Sequence, residues 1–427
     1  MSDYSSKNPY LGEMINKKLI THPDSTKETR HIVFNLGDSG LEYKVGDALA
    51  IIPQNPPELV SDLMGLLNFS KEEIVETHLG ETTIEDALTN HCEVHRLCKK
   101  FIVGLEMKFS DASPKVSLRL VGRSRNQAST GENKLKWDWS GDEDDFPSGF
   151  TPVGSANDPA FTLWELLVND SDAMEDYIWS RDYIDLLSDM PNLSFTPQEF
   201  VSNLDRLKPR LYSIASSPDA HPGEVELTVA IVRYNHHGRD RGGLCTIYMA
   251  DHAPLNDKTI PMFMSPTRSF VLPRDGDTDI IMVGPGTGIA PFRAFLEQRE
   301  FDNAKGRNWL FFGDRTSTHD YLYESELKNW EDSGHLTKLD LAWSRMKDIP
   351  KTYVQNLMAK HGAELWSWID DGAYFYVCGD KTRMAKDVHQ TLIDIAIEHG
   401  GMSPDDAKEF VEKRMMKEEK RYLRDVY

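Results

Sequence analysis

The stretch Asp279-Ile-Ile-Met-Val-Gly-Pro-Gly-Thr-Gly-Ile-Ala-Pro-Phe-Arg-Ala-Phe295 decides how the C-terminal part of this chain folds. Its apolar run at 280–283 reads as a buried strand of an α/β sheet. Gly284, Gly286 and Gly288 follow, with Thr287 between the last two, and a helical pattern begins at Pro291. A strand, a glycine-rich turn and a helix start form a platform for a pyrophosphate. Glycine lets the backbone come close, outward N–H groups donate, and the helix N-terminus adds partial positive charge. The spacing is G-P-G-T-G and not the G-x-G-x-x-G dinucleotide fingerprint. Taken alone, the turn also fits a strand–helix junction that binds nothing.

Downstream of this stretch the pattern keeps alternating. Strands are expected at 309–312, 338–343 and 374–378, and helices at 292–300, 323–331, 352–369, 382–399 and 404–421. Such alternation implies a parallel sheet with crossover helices. Ligands should gather past the strand ends, at Gly284, Gly313, Ser344 and Gly379.

Upstream, residues 1–10 read as a loose terminal segment, and from Lys17 to Pro53 short strands alternate with tight turns. The β pattern resumes at Lys208 and includes the strand Glu224-Val-Glu-Leu-Thr-Val-Ala-Ile-Val232. Between the two, the chain is mostly helical, and the spacing from Glu175 to Leu187 is helical throughout. The expected organisation is an antiparallel β-barrel from 11–55 and 205–275, a helical insert over 56–204, and an α/β domain over 276–427. Residues 122–159 are polar, with the acidic peak Trp137-Asp-Trp-Ser-Gly-Asp-Glu-Asp-Asp145, and read as a solvated surface excursion.

Composition narrows the class. The chain has 427 residues, enough for two or three domains, and its 39% hydrophobic and 27% charged content is that of an ordinary globular protein. A net charge of −21 argues against nucleic acid or an anionic membrane as partner. No apolar run approaches bilayer length, and the polar N-terminus lacks the apolar core of a signal peptide. Four cysteines (Cys92, Cys98, Cys245, Cys378) show no metal-ligand spacing and no disulfide framework, which suits a reducing cytoplasm and predicts no metal.

Several blocks then carry a resemblance. They are Arg210-Leu-Tyr-Ser-Ile-Ala-Ser-Ser217, Val283-Gly-Pro-Gly-Thr-Gly-Ile-Ala-Pro-Phe-Arg293, Asn308-Trp-Leu-Phe-Phe-Gly313, Leu341-Ala-Trp-Ser-Arg345, Tyr376-Val-Cys-Gly-Asp380 with Met384-Ala-Lys-Asp-Val388, and the terminal Arg424-Asp-Val-Tyr427. Ser39-Gly-Leu-Glu-Tyr-Lys-Val-Gly-Asp-Ala48 extends the likeness toward the N-terminus. In this order and near this spacing, the chain resembles the FAD- and NADPH-binding part of the diflavin reductases, and among them the sulfite reductase flavoproteins. The resemblance implies a ferredoxin-NADP reductase-like fold, in which the β-barrel binds FAD and the α/β domain binds NADPH.

It also implies site residues. Arg210 would clamp a FAD phosphate, and Leu211, Tyr212 and Ser213 would meet the isoalloxazine side, Tyr212 offering a flat apolar face with a polar tip. Thr228, Val229, Ala230 and the aromatic Tyr234 match a second FAD-contacting segment. Gly243, Leu244, Cys245 and Thr246 match the FAD pyrophosphate turn, although the family usually has smaller residues at 244 and 245, which leaves backbone contacts there. Gly286, Thr287 and Gly288 would hold the NADPH diphosphate. Ser344, Arg345, Lys351, Tyr353, Gln355 and Asp387 would form the adenosine 2′-phosphate side, since two cations, a hydroxyl and a phenol suit that group. Pro350 precedes Lys351 and the loop is one residue longer than in the family pattern. Ser213, Cys378 and Asp425 would surround the hydride-transfer position, and Tyr427 would cover the flavin and move aside for nicotinamide.

The family carries an FMN-binding, flavodoxin-like module before this region, and no candidate FMN phosphate loop precedes Lys17. The expected acceptor is therefore a separate protein: a flavodoxin, a ferredoxin or a sulfite reductase haem subunit. Two other readings stand beside the sulfite-reductase one. One is a general NADPH–flavodoxin or ferredoxin reductase, and the other a flavin-binding assembly module without catalysis.

Overall fold

Apolar residues at alternate positions along short segments build a closed antiparallel sheet. The computed structural model describes residues 4–110 and 159–427 and divides them into two compact units, one of residues 1–56 and 207–427, the other of 57–206. The acidic peak at 137–145 lies outside the described residues, as does nearly all of the 122–159 excursion.

In the first unit, β1 (Tyr10–Leu19), β2 (Glu28–Asn35), β3 (Ala48–Ile51), β4 (Arg210–Ser213), β5 (Glu224–Ile231) and β6 (Lys258–Ser265) form a six-stranded sheet in the order β4-β3-β6-β1-β2-β5. The two edges meet where Ile214, just past β4, bridges Leu227 of β5, and the Ala215 N–H donates to the Glu226 carbonyl at 2.7 Å. The inward side chains, among them Met14, Ile32, Phe34, Leu49, Val229 and Met262, are buried together. β1 begins at Tyr10, within the segment read as loose from the sequence. Register shifts after Gly12 and Met14 mark bulges that break its alternation, so the period-2 signal is lost there.

The same unit holds a five-stranded parallel sheet: β7 (Ile280–Val283), β8 (Asn308–Asp314), β9 (Lys338–Trp343), β10 (Tyr374–Gly379) and β11 (Tyr422–Val426), in the order β9-β8-β7-β10-β11. All four residues of β7 are fully buried, as a central parallel strand requires. Ile281, Val283, Trp309, Phe311 and Val377 pack on one face, and Ile280, Met282, Leu310, Phe312 and Cys378 on the other. β8 lies on one side of β7 and β10 on the other, so the strand order reverses at β7. The glycine-rich turn leaves β7 at that switch point, where a ligand crevice opens in folds of this kind.

Boundaries differ from the sequence reading in places with identifiable causes. The 352–369 segment is two helices, Val354–Lys360 and Gly362–Asp370, broken at His361. A Cβ on Gly362 would sit 2.5 Å from the His399 ring, so the second helix turns to pack closely there. The segment from Pro404 continues beyond Glu409 as wider turns over Phe410–Glu418, and the chain then adds β11, a strand the helical pattern hid.

The second unit is helical, with Phe101, Trp164, Tyr183 and Phe200 in its core. It also carries the hairpin Ile74–Thr77 and Gly80–Thr83, which the sequence did not suggest. The helical pattern at 175–187 divides into Ser171–Ser180 and Tyr183–Asp189, because Asp182 leaves the helix and caps the next one with its carboxylate. Among the described residues, no helix is long and apolar enough to cross a membrane.

Candidate functional site

The parallel register fixes the central cluster. Cys378 of β10 lies opposite Asp425 of β11, and the two side chains meet with Sγ 3.9 Å from Oδ2. From the barrel, the Ser213 hydroxyl donates to the same Asp425 oxygen at 2.6 Å. Three residues far apart in sequence thus share one carboxylate. Burial, and then the neighbouring Asp425 carboxylate, push the Cys378 thiol well above its ordinary value. It is therefore a neutral, packed thiol and not a nucleophile.

The glycine-rich turn abuts this cluster. A Cβ on Gly288 would lie 2.2 Å from the Cys378 carbonyl oxygen, so only glycine allows the approach. Gly286 adopts φ +59°, the left-handed region that favours glycine. Thr287 extends its hydroxyl to the Tyr427 phenol at 3.0 Å. The chain end is tied down as well, with the Tyr427 N–H donating to Gly379 O at 3.2 Å and the Lys381 N–H to Tyr427 O at 3.1 Å. Tyr427 nonetheless stays 63% exposed, lying across the crevice mouth and not in the core.

Around the end of β9, the Ser344 N–H and hydroxyl both donate to the Asp314 carbonyl, at 3.0 and 3.2 Å. The Arg345 N–H donates to Arg315 O at 2.7 Å, and the Thr352 N–H returns to Trp343 O at 3.1 Å. That last bond closes the loop and brings exposed Lys351 and Tyr353 back beside Ser344 and Arg345. Gln355 donates to Asp387 at 3.1 Å, linking the two remaining expected residues of this group.

On the barrel, Arg210 and Tyr212 are half-buried, and Leu211 between them is 61% exposed. Burial, and then Cys245, raise the Tyr212 phenol well above its ordinary value. Tyr234 stands exposed on the hairpin Arg233–His236 and Arg239–Gly242. Thr228 and Val229 are buried, and the Thr228 hydroxyl is engaged by the Tyr323 phenol at 2.7 Å, so any ligand contact from these two is through backbone. The same holds at 244–245. Both side chains are buried, Cys245 in the barrel core, and burial pushes the Cys245 thiol up to about 12, which leaves N–H groups at the start of Leu244–Ile247. Gly243 packs 2.8 Å, as a would-be Cβ, from the Thr246 hydroxyl, which itself donates to the Gly243 carbonyl at 3.0 Å.

A buried charge network that no motif in the sequence signals joins barrel to parallel sheet. Arg293, on the helix Ala290–Phe301, donates to Glu226 at 2.5 Å, Glu297 at 2.8 Å, Glu326 at 2.6 Å and the Ala215 carbonyl at 2.6 Å. Burial alone would raise the Glu226 carboxyl; His31 and Arg293 outweigh it and hold the group at about 2. His221 meets Glu297 at 3.0 Å, which raises the imidazole. Two acids in buried positions, Glu226 within an apolar strand and Glu297 within an apolar helix, were the available signal. Lys27, in the β1–β2 turn, likewise lies 2.6 Å from both carboxylate oxygens of Asp314, beside the glycine-rich turn.

Comparison with known proteins fits this arrangement. The FAD binding domain family matches residues 2–110 and 164–248, and the oxidoreductase NAD-binding domain family matches 282–390. The chain thus carries an FAD binding domain and an oxidoreductase NAD-binding domain. Among similar proteins are those named sulfite reductase [NADPH] flavoprotein alpha-component from Bacillus subtilis (strain 168), 39% identical, and from Vibrio parahaemolyticus serotype O3:K6, 37% identical. Both matches cover 100% of this chain, which spans 62% and 60% of the length of those relatives. The two matched domains correspond to the antiparallel and the parallel sheet, and Cys378 and Asp425 lie where the Ser213 hydroxyl of the first reaches the second.

Proposed function

We propose that this chain takes hydride from NADPH onto FAD and passes electrons to a separate acceptor in sulfite reduction. The observation that supports it best is the Ser213–Asp425–Cys378 cluster, set against the glycine-rich turn and roofed by Tyr427. Residues 11–55 and 205–275 would hold FAD, 276–427 NADPH, and 56–204 would be the connecting insert.

The residues fit both groups. Gly286, open and in the left-handed region, offers the close backbone approach a diphosphate needs, and the N–H groups at the start of Leu244–Ile247 offer donors on the barrel. When bound, FAD supplies a ring that takes two electrons from a nicotinamide and releases them singly. The protein contributes the rest. Asp425, held by Ser213, places negative charge where a nicotinamide becomes positive, a preorganised electrostatic contribution. Cys378, uncharged and fully buried, packs the floor of the position. Arg345 and Lys351 offer cations to a ribose 2′-phosphate, which favours NADPH over NADH. Tyr427 excludes water until it is displaced.

The names of the relatives support a sulfite reductase haem protein as acceptor, and cysteine spacing that shows no disulfide framework supports a cytoplasmic setting. The test is direct. FAD-loaded protein is mixed anaerobically with NADPH, and its flavin absorbance near 450 nm (roughly, for an oxidised flavin in a protein site) should bleach within the mixing experiment. A spectrum unchanged by NADPH removes the reductase reading and leaves the assembly-module one. Electron delivery from the reduced protein to a haem subunit, against a flavodoxin and a ferredoxin, then separates the acceptors.

A further inference from the structure

A second concave site lies at the opposite end of the parallel sheet from the glycine-rich turn. It is a cavity of about 860 Å³ between the linker that follows β6 and the segment that leads into β11. Tyr374 and Tyr422, the first residues of β10 and β11, line it. Tyr374 is four residues before Cys378, so along the strand the cavity is roughly 13 Å from the thiol at about 3.3 Å per residue.

Its walls are basic. Arg268 and Arg274 come from the linker, and Lys417, Lys420 and Arg424 from the other side, against a single acid, Asp275. None of the five cations has a carboxylate partner among the described residues. Arg424 instead lies over the Tyr422 ring, 5.7 Å from its centroid. In a chain with 69 acidic and 48 basic residues, five converging cations without partners are unexpected on composition. Elsewhere in this unit several cations are paired with carboxylates, among them Arg233, Arg293, Arg307 and Lys338. Like charges gathered around a low-dielectric cleft repel one another and focus positive potential into it. An anion that neutralises them removes that repulsion.

The walls are also fixed. The Tyr376 phenol donates to the Val271 carbonyl at 2.7 Å, and Phe270 stacks on Phe295 with centroids 5.6 Å apart, which pins the linker to the sheet. Leu272 and Leu423 supply apolar surface beneath the cations. The volume falls in the range of small-molecule clefts.

We propose that this cavity binds a polyanionic small molecule of nucleotide size, one bearing at least two phosphate groups, at a site separate from those of FAD and NADPH. The guanidiniums of Arg274 and Arg424 hold phosphate oxygens in bidentate fashion, and the two lysines add unoriented charge. The apolar floor and Tyr374 receive the remainder of the ligand.

The test uses the full FAD-loaded chain saturated with NADP⁺, so that the nicotinamide dinucleotide site is closed to other anions. Sodium pyrophosphate is titrated by isothermal calorimetry, with adenosine 5′-diphosphate as a parallel arm to tell a bare diphosphate from a nucleotide. One binding event per chain is expected, weakening as salt rises. The double substitution Arg274→Glu, Lys417→Glu should weaken it roughly tenfold or more, while Arg274→Lys keeps most of the affinity. Flavin spectrum and NADPH reduction should be unchanged in both. If the double variant alters the flavin spectrum, Arg268→Gln, at an exposed position, takes its place. No binding to the wild-type protein, or equal affinity in the charge-reversed variant, overturns the proposal. So does slower electron delivery to an acidic acceptor protein in the variant without any anion binding to the wild type, which would give the cavity to a protein partner.

Discussion

Replacing Arg293 by methionine should destabilise the protein by about 3–5 kcal/mol, the usual consequence of leaving a buried charge without its partner. Arg293 is the cation on which Glu226, Glu297 and Glu326 converge, and the first two are 6% and 8% exposed. A second estimate comes from Glu226 itself. Its carboxyl is held at about 2 against an ordinary 4.5, and a difference of roughly 2.5 pKa units corresponds to about 3 kcal/mol. His31 supplies part of that shift, so the two figures overlap and are not to be added. The melting temperature followed by circular dichroism should fall by roughly 6–20 °C, at about 2–4 °C per kcal/mol for a unit of this size. The pH dependence distinguishes this account from a simple packing defect. A depressed carboxyl stabilises the folded state above its unfolded value of about 4.5, and that contribution is lost as pH falls toward about 2. Wild-type protein therefore keeps it at about pH 5. In the variant, the uncompensated carboxylates protonate more readily and His221 gains charge, so the deficit should shrink between about pH 7.5 and about pH 5. An unchanged melting temperature at the higher pH, or a deficit that grows on acidification, would refute the reasoning.

Four further outcomes follow from the same geometry. His221→Gln should leave stability unchanged above the raised imidazole value and lower it progressively below, because a raised histidine stabilises the fold only in its protonated range, fully so below about 6.5; melting curves across that window check it. Gly288→Ala, whose Cβ would fall 2.2 Å from the Cys378 carbonyl oxygen, should cost about 1–3 kcal/mol of stability and abolish reduction by NADPH while FAD remains bound, as read by stopped-flow absorbance and flavin content. Asp425→Asn should reduce the rate of flavin reduction about 10²-fold with little change in KM, since it removes charge from the cluster and keeps an acceptor for Ser213. Arg345→Ala should raise KM for NADPH roughly 10- to 100-fold and leave KM for NADH nearly unchanged; equal effects on both would remove the 2′-phosphate assignment.

The glycine-rich stretch and the alternation of strands and helices were legible from the chain alone, because each depends on local periodicity or on glycine where a Cβ cannot fit, whereas Arg210–Ser213, Ser344–Arg345 and Asp425–Tyr427 stood out only through the family resemblance. Tertiary structure alone decided that Ser213 and Cys378 would share the carboxylate of Asp425, since β4 and β10–β11 meet only through the barrel's contact with the parallel sheet. It also decided that Thr228, Leu244 and Cys245 turn their side chains into the protein, that β1 starts early across two bulges, and that β11 exists at all. The Arg293 network was hidden for a related reason. Helix Ala290–Phe301 is buried on nearly all sides, and a charged residue in an apolar helix shows its partners only once the barrel is packed against it. At Gly284–Gly288, sequence supplied the chance of close approach through missing side chains. The identity of what approaches, the backbone of Cys378 on one side and the phenol of Tyr427 on the other, came from strand order, which long-range packing sets and no local pattern records.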